Sequence, residues 1–492
     1  MNPFGRLDLN HSENTSFARK GVLSTASVGV QGIVRFAYSV IIGRVLTPAI
    51  LSATNSAISL ALFISLLWPT ATSTAATKFI ARSQGAGDHD LAARVASHLA
   101  RVTTVAAVAL AIPAGLFSFF FQARGDLVTA VLVMVLVIAW AGYTYVRGAY
   151  FAVGQIGRAL VWDTISASVS VGLLVGVVML RWDAVLLLPI TVGYLLYAII
   201  GWPRRPANPG LERDLAREIN SFTTWTVIGT LASTGFLQLT MVVAHAVGPG
   251  NASGMYAAAL TLATPASMLA RSFSLLLFPS MAKATGQSDF ESVRRQTDLA
   301  TRALIVVMGA IFGTIALLSA PIVRVVYGQK YADAATILPI LLVAALLVTL
   351  NVGAVNALST STSTGVRIPA ILSVAGMVLG LVAMVVLIPL TGVIGVAWSY
   401  LVGTAIIGFG PIVVVWRQEG LRWSGLWLRF LVGALVAVLL AVAAKALEWG
   451  YLGDILATAA FLLVWGGLMY PDLGVLNSVR KPARRTTEEQ TP

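Results

Sequence analysis

Residues Gly21 to Leu46 read GVLSTASVGVQGIVRFAYSVIIGRVL, an apolar run long enough for a membrane-spanning helix that contains one arginine, Arg35. At 1.5 Å per residue, Arg35 lies roughly 21 Å from Gly21, too deep to reach either membrane surface easily. A guanidinium that faces lipid at this depth costs about 3 kcal/mol, because it keeps its proton. The favoured interpretation is that Arg35 faces a hydrated cavity. The alternatives are an ion pair with a carboxylate of a neighbouring helix and snorkelling to the surface.

The composition predicts an all-α polytopic membrane protein. Of the 492 residues, 57% are hydrophobic and only 11% are charged, and the mean hydropathy is +0.85. The net charge of +13 is explained by basic loops at one membrane face, so no nucleic-acid partner is expected. The absence of cysteine excludes disulfides, iron–sulfur clusters and thiolate zinc sites. We expect no metal and no cofactor.

About fourteen transmembrane helices are predicted from apolar windows of about 19 residues. The windows lie near 21–44, 52–76, 102–121, 127–147, 160–180, 184–201, 223–247, 254–277, 302–321, 335–357, 367–389, 392–415, 427–446 and 451–470. A cytoplasmic N-terminus places most of the 33 lysines and arginines on the cytoplasmic face, as the positive-inside rule requires. We therefore expect a plasma (inner) membrane protein with both termini in the cytoplasm.

The longest internal loop, WPRRPANPGLERDLAREINSF at 202–222, is rich in proline and charge and is predicted to end in a short amphipathic helix on the membrane surface. It divides the first twelve spans into two halves. The predicted organisation is a cytoplasmic N-terminal segment (1–20), an N-lobe with spans 1–6 (21–201), the cytoplasmic linker (202–222), a C-lobe with spans 7–12 (223–416), spans 13 and 14 (424–470) and a cytoplasmic tail (471–492).

A direct repeat at an offset of 201 residues supports this division. Ala81, Arg82, Gly85, Asp88, Arg94 and Arg101 match, in type and order, Ala282, Lys283, Gly286, Asp289, Arg295 and Arg302. A repeat of this kind predicts two lobes of the same orientation, related by an axis along the membrane normal, with the substrate path between them.

Several short motifs resemble one family in order and spacing. They are RVLTP at 44–48, KFIARSQGAGD at 78–88, FPSMAKATGQSD at 278–289, VYGQKYADAATILPIL at 326–341, GVR at 365–367 and IPLTGVIGVAWSY at 388–400. On these motifs the chain resembles the polysaccharide-transport branch of the multidrug/oligosaccharidyl-lipid/polysaccharide (MOP) exporter superfamily.

The resemblance implies a V-shaped alternating-access transporter that carries polyprenyl-diphosphate-linked oligosaccharides to the outer leaflet. The implied partners are this lipid-linked glycan, membrane lipids, and a polysaccharide polymerase and glycosyltransferases.

Six polar side chains inside the spans are candidates for the cavity site. Arg35 and Arg271 are the candidates for the diphosphate, because arginine binds phosphate oxygens through a planar fork of donors. Arg271 lies in span 8, and its alternative role is snorkelling to the nearby cytoplasmic surface. The candidates for sugar hydroxyls are Gln31, Gln238, Asn351 and Asn356. Hydrogen bonding between helices is the alternative for each of these four.

Other functions remain open at this stage. A lipid II flippase of the same branch carries an Asp-Arg pair in span 8, where this chain has Ala259 and Leu260. A cation-coupled multidrug exporter needs an intramembrane carboxylate; Asp163 is the only candidate, and an ion pair with Arg158 is the favoured interpretation of it.

A membrane glycosyltransferase or polymerase needs catalytic carboxylates or arginines on sizeable outer loops. The chain has no paired loop carboxylates and no HExxH, GxSxG, GKS or GKT motif. We expect no enzyme activity.

Overall fold

The computed structural model describes residues 17–122, 125–203, 210–248, 250–287, 289–361, 367–447 and 450–480; the side chains of 17–22, 266–276, 278–280, 282, 283, 286, 361 and 475–480 are outside this description. All regular structure within these ranges is helical. The α-helices are α1 Phe17–Val45, α2 Pro48–Leu66, α3 Pro69–Gly85, α4 His89–Phe117, α5 Leu127–Ala152, α6 Ile156–Met179, α7 Leu188–Gly201, α8 Arg213–Thr230, α9 Phe236–Val247, α10 Asn251–Gly286, α11 Phe290–Leu317, α12 Ser319–Tyr327, α13 Ala334–Leu350, α14 Val352–Ser361, α15 Arg367–Thr391, α16 Val393–Glu419, α17 Ser424–Ala446 and α18 Gly450–Arg480.

The helices agree with the predicted spans. Thirteen helical segments of the described residues are long and apolar enough to cross a membrane. A further helix, α10, has 36 residues, extends about 54 Å and contains the eighth predicted span. Every predicted span is therefore occupied by one helix or by two consecutive helices, which confirms the all-α polytopic class.

Two predicted boundaries are wrong. The span predicted at 52–76 is divided, because α2 ends at Leu66 and Pro69 begins α3; proline is favoured in the first turn of a helix, where its missing N–H has no cost. The surface helix predicted at the end of the linker is not separate. Helix α8 continues through a π-helical turn, Leu231–Gly235, into α9.

The two copies of the sequence repeat form the same type of helix–turn–helix connection, between α3 and α4 and between α10 and α11. Helix α3 ends at Gly85 and α10 ends at Gly286. Asp88 then caps α4 by accepting a hydrogen bond of 2.8 Å from the Leu91 backbone N–H, and Asp289 caps α11 through the Ser292 N–H at 3.0 Å. Such a cap satisfies a donor that has no partner inside the helix. The matching residues thus have matching structural roles.

The packing of four helices defines the centre of the molecule. Helix α1 packs against α6 on one side and α10 on the other, and α2 packs against α9 and α10. Helices α17 and α18 pack together, and α18 lies along α11. The central contacts thus join α1 and α2, which precede the linker, to α9 and α10, which follow it.

A buried carboxylate attaches the last two helices to α11. Asp472 of α18 is only 1% exposed; it accepts a hydrogen bond from Arg302 of α11 at 2.6 Å and forms an ion pair with Arg429 of α17 at 2.7 Å. A buried charge is tolerated when it is paired in this way. The pairing fixes α17 and α18 to the second half of the bundle.

Candidate functional site

A polar cavity of about 60 Å³ lies where α1 and α2 meet α9 and α10. Its wall contains Arg35 from α1, Asn55 and Ser59 from α2, Gln238 from α9 and Thr261 from α10. Polar side chains from four helices thus converge inside an otherwise apolar bundle. The cavity can hold a few water molecules, whereas pockets for small ligands typically measure about 300–1,000 Å³.

Arg35 lies near the middle of α1 and is partly exposed to the cavity. Among the residues that the structure describes, no carboxylate forms an ion pair with Arg35. Its positive charge is therefore available to an anion that enters the cavity.

Gln238 is the second predicted site residue in this cavity, and it is only 9% exposed. Gln31, four residues before Arg35 on α1, is half-buried and does not line the cavity. Arg271 lies within α10, but its side chain falls outside the described residues. The structure thus brings Arg35 and Gln238 together.

The two predicted asparagines lie elsewhere in the second half. The Asn351 side-chain amide donates a hydrogen bond of 2.9 Å to the Ile407 backbone carbonyl, which joins the start of α14 to α16. This is the helix-to-helix role that we gave as the alternative. Asn356 is buried in α14 and is not part of the cavity wall.

A polar layer centred on Ser39 closes the cavity on one side. The Ser39 hydroxyl lies 2.9 Å from the Thr261 hydroxyl, 3.1 Å from the Tyr327 hydroxyl and 3.2 Å from the Asn55 amide nitrogen, which donates to it. These contacts join α1, α2, α10 and α12. The sequence analysis missed Ser39, although its position one turn after Arg35 on the same helix face is a usable signal.

Beyond this layer, two basic side chains bind the end of α1 to the last turn of α12 and to the segment that follows it. We call this side of the bundle, where α1 ends and α2 begins, the α1–α2 end. Arg44 donates from Nε to the Val326 carbonyl at 2.6 Å, and also donates to Val325. Lys330 donates to the carbonyls of Leu46 at 2.6 Å and Arg44 at 3.1 Å.

Helix α2 is joined to the second half at the same end. The Ser52 hydroxyl donates to the Ser253 hydroxyl at 2.6 Å and lies 2.8 Å from Nδ1 of His245. The cavity is therefore shut towards the α1–α2 end by hydrogen bonds from both α1 and α2.

The contacts between α3 and α8, at the opposite end of the bundle, are more exposed. Arg82 pairs with Glu218 at 3.0 Å, and their side chains are 65% and 48% exposed. The Lys78 ammonium lies 4.2 Å from the centre of the Phe222 ring. An exposed ion pair contributes at most about 1 kcal/mol, so these contacts restrain the two helices only weakly.

Asp163 belongs to a buried cluster that the sequence analysis assigned incorrectly. It pairs with Arg147 at 3.3 Å, not with Arg158, and accepts hydrogen bonds from the hydroxyls of Tyr143 at 2.7 Å and Ser27. Arg147 of α5 also donates to Ser27 at 2.9 Å. The cluster joins α1, α5 and α6. Asp163, the carboxylate that a cation-coupled site would need, is therefore already bound by Arg147, Tyr143 and Ser27.

Comparison with known proteins agrees with this architecture. The family model described as "Polysaccharide biosynthesis protein" matches residues 17–285, which is more than half of the chain. The chain therefore belongs to the polysaccharide biosynthesis protein family. No curated protein matches its sequence significantly.

Solved structures of similar fold come from one superfamily. The inward closed form of the lipid II flippase MurJ has a TM-score of 0.67 at 14% identity, covering 92% of this chain and 99% of that one. An inward-facing multidrug resistance MATE transporter has a TM-score of 0.65 at 15% identity, covering 79% and 94%. A Pyrococcus furiosus transporter described as having a binding pocket of reverse polarity has a TM-score of 0.58 at 14% identity, covering 82% and 95%. The chain therefore shares the fold of transporters of the MOP superfamily, and it is a multi-pass membrane protein.

Proposed function

We propose that this chain moves a polyprenyl-diphosphate-linked oligosaccharide, a precursor of a cell-surface polysaccharide, across the plasma membrane. The observation that carries the proposal is the position of Arg35, which lines a cavity from within the apolar helix α1 and has no carboxylate partner in the described part of the chain. Membership of the polysaccharide biosynthesis protein family supports a glycan as the cargo.

The chemistry of the cavity suits a diphosphate joined to a sugar. A guanidinium binds phosphate oxygens through two parallel hydrogen bonds, which gain strength away from water. Gln238, Asn55 and Thr261 supply amide and hydroxyl groups that can bind sugar hydroxyls. In the proposal, Arg271 of α10 supplies a second positive charge from the opposite half.

Transport requires the cavity to widen, because about 60 Å³ is far too small for the head group of such a lipid. We assign the α1–α2 end to the outer face of the membrane, in agreement with the positive-inside rule. The hydrogen bonds of Arg44, Lys330 and Ser52 then close the outer gate. Rocking of the lobes 21–201 and 223–416 breaks these bonds and opens the cavity outwards.

Two alternatives within the superfamily make different predictions. A lipid II flippase shares the diphosphate and differs in the attached sugar and peptide, so only a comparison of cargoes separates it from our proposal. A cation-coupled drug exporter needs an available intramembrane carboxylate, and Asp163 is already bound by Arg147, Tyr143 and Ser27.

The proposal is tested by translocation in vesicles. The purified chain is reconstituted with a fluorescent polyprenyl-diphosphate disaccharide, and a membrane-impermeant reductant measures how quickly the label changes leaflets. We expect the wild-type chain to accelerate the exchange and Arg35→Ala to lower the rate at least tenfold. Arg417→Ala, an exposed arginine at the end of α16, is the matched control and is expected to keep the full rate.

The result that overturns the proposal is equal translocation by the wild type and Arg35→Ala. Faster movement of labelled lipid II than of the disaccharide carrier supports the peptidoglycan alternative. Uptake of a cationic dye that Asp163→Asn abolishes supports the drug exporter.

A further inference from the structure

A second cavity, which shares no lining residue with the Arg35 cavity, lies between α4, α5 and α7. It measures about 520 Å³ and is lined by Thr103, Ala107, Gly142, Leu195 and Ala198, among others. A Cβ atom at Gly142 would lie 2.9 Å from that of Ala198, so α5 and α7 are in direct contact beside the cavity. Small residues thus leave an elongated groove between the three helices.

The polar atoms of this groove are already bonded within the protein. The Thr103 hydroxyl lies 2.6 Å from that of Thr72 and donates to the Leu99 carbonyl at 2.7 Å. The Thr104 hydroxyl donates to the Ala100 carbonyl at 2.9 Å. The threonines therefore offer methyl groups to the groove, which suits a hydrocarbon chain.

A basic mouth adjoins the apolar groove. A cavity of about 150 Å³ shares Thr104 and Trp202 with the larger one and adds Ser97 and Arg101. Arg101 is exposed, and within the described ranges no carboxylate pairs with it. Trp202 follows the end of α7 and is 36% exposed, a position typical of a tryptophan at the membrane interface.

The second half of the repeat shows how the residue equivalent to Arg101 is paired and covered. The counterpart of Arg101 at an offset of 201 is Arg302, which is paired with Asp472 at 2.6 Å. The α11 face beyond Arg302 is covered by α18, whose Trp465 donates to the Val306 carbonyl at 2.9 Å. In the second half, a largely apolar helix that presents Asp472 to Arg302 therefore covers this surface.

The equivalent face of α4 is exposed in the part of the chain that the structure describes. Val105, Val108 and Ile112, which continue from Arg101 along this helix, are 64%, 48% and 52% exposed. These three residues do not line the groove, but Thr104 and Val105 both line the basic mouth, so the mouth joins the exposed face of α4 to the groove. The complementary occupant has an anionic head for Arg101 and an apolar chain. An anionic phospholipid has this form, and a basic site between transmembrane helices is a known way of binding its head group.

We propose that the groove between α4, α5 and α7 binds one acyl chain of an anionic phospholipid, with the phosphate at Arg101 and the head group beside Trp202. This lipid site shares no lining residue with the Arg35 cavity. The proposal therefore does not depend on the identity of the transported cargo.

The test uses the full chain in vesicles that contain photoactivatable phosphatidylglycerol or photoactivatable phosphatidylcholine, each with the reactive group in the acyl chain. Labelled peptides are identified by mass spectrometry. We expect phosphatidylglycerol to label peptides of α4 and α7 about fivefold more than phosphatidylcholine does, the preference that one basic side chain near the membrane surface provides.

Two variants distinguish binding of the lipid head group from binding of the acyl chain. Arg101→Gln should remove the preference for phosphatidylglycerol, and Thr104→Phe, which fills the groove, should lower labelling by both lipids. Arg417→Gln is the matched control and should change neither. Equal labelling by the two lipids, or labelling that both variants leave intact, overturns the proposal. So does stronger competition by polyprenyl diphosphate than by unlabelled phosphatidylglycerol, or coverage of the groove by a second copy of the chain.

Discussion

The hydroxyls of Ser52 and Ser253 lie 2.6 Å apart, and the two residues are separated by 201 positions, the offset of the sequence repeat. In a pseudo-two-fold arrangement, a residue contacts its own counterpart only where the axis passes between them. The pair therefore places such an axis between α2 and α10, beside the cavity. This supports the proposed division into two lobes with the substrate path between them.

Joining these two serines covalently should lock the α1–α2 end. The chain has no cysteine, so Ser52→Cys with Ser253→Cys introduces a single possible disulfide. We expect oxidation to stop translocation of the fluorescent lipid-linked disaccharide, because the cavity can no longer open at that end. Reduction should restore the rate.

The two single cysteine variants are the controls and should respond neither to oxidant nor to reductant. Full translocation by the oxidised double variant, with the disulfide verified by mass spectrometry, would show that this end does not open during transport.

Lys330 should stabilise the closed form of the same end. Its ammonium donates to two carbonyls at the end of α1, and each hydrogen bond contributes about 1 kcal/mol. We expect Lys330→Met to increase, about tenfold, the labelling of Ser59→Cys by an impermeant maleimide added at the α1–α2 face. Lys445→Met, an exposed lysine at the end of α17, is the control. Unchanged labelling would remove Lys330 from the gate.

The Asp163–Arg147 pair should contribute to stability rather than to ion coupling. Their side chains are 2% and 12% exposed, so Asp163→Asn leaves Arg147 buried and uncompensated, at a cost of about 3–5 kcal/mol. We expect a clear fall in the unfolding temperature in detergent, partly recovered when Arg147→Met is added. Asp183→Asn, at an exposed carboxylate, should change the unfolding temperature little. A normal unfolding temperature for Asp163→Asn would contradict this role.

Glycine on α11 should be required for the attachment of α18. A Cβ atom at Gly309 would overlap the Trp465 indole ring, whereas a Cβ at Gly172 on α6 meets nothing within 4 Å. Alanine normally stabilises a helix by about 1 kcal/mol relative to glycine. We therefore expect Gly172→Ala to preserve or raise the unfolding temperature and Gly309→Ala to lower it. An equal response of the two variants would show that α18 is not packed against this face.

The sequence predicted the helices well and the polar contacts poorly. Long apolar windows identify the spans because the bilayer imposes one length on every span. The break at Leu67 and Trp68 was missed, because Pro69 can either kink a helix or begin one.

The partners of the buried charges could not be predicted because they are distant in the chain. Arg147 and Asp163 come from different helices, as do Arg302 and Asp472, and hydropathy does not determine how helices rotate against one another. The depth of Arg35 was predictable from α1 alone. Its proximity to Gln238 depends on the packing of α1 and α2 against α9 and α10 around the cavity.

The most direct test of the central claim is the affinity of the purified chain for polyprenyl diphosphate and for the corresponding alcohol, measured for the wild type, Arg35→Lys and Arg35→Ala. If Arg35 holds the diphosphate, Arg35→Ala lowers the affinity for the diphosphate about 10- to 100-fold, the loss of charge-assisted hydrogen bonds, and Arg35→Lys lowers it less. The affinity for the alcohol stays unchanged in all three proteins. Equal binding of the diphosphate by the wild type and Arg35→Ala would contradict an anionic cargo held at this position.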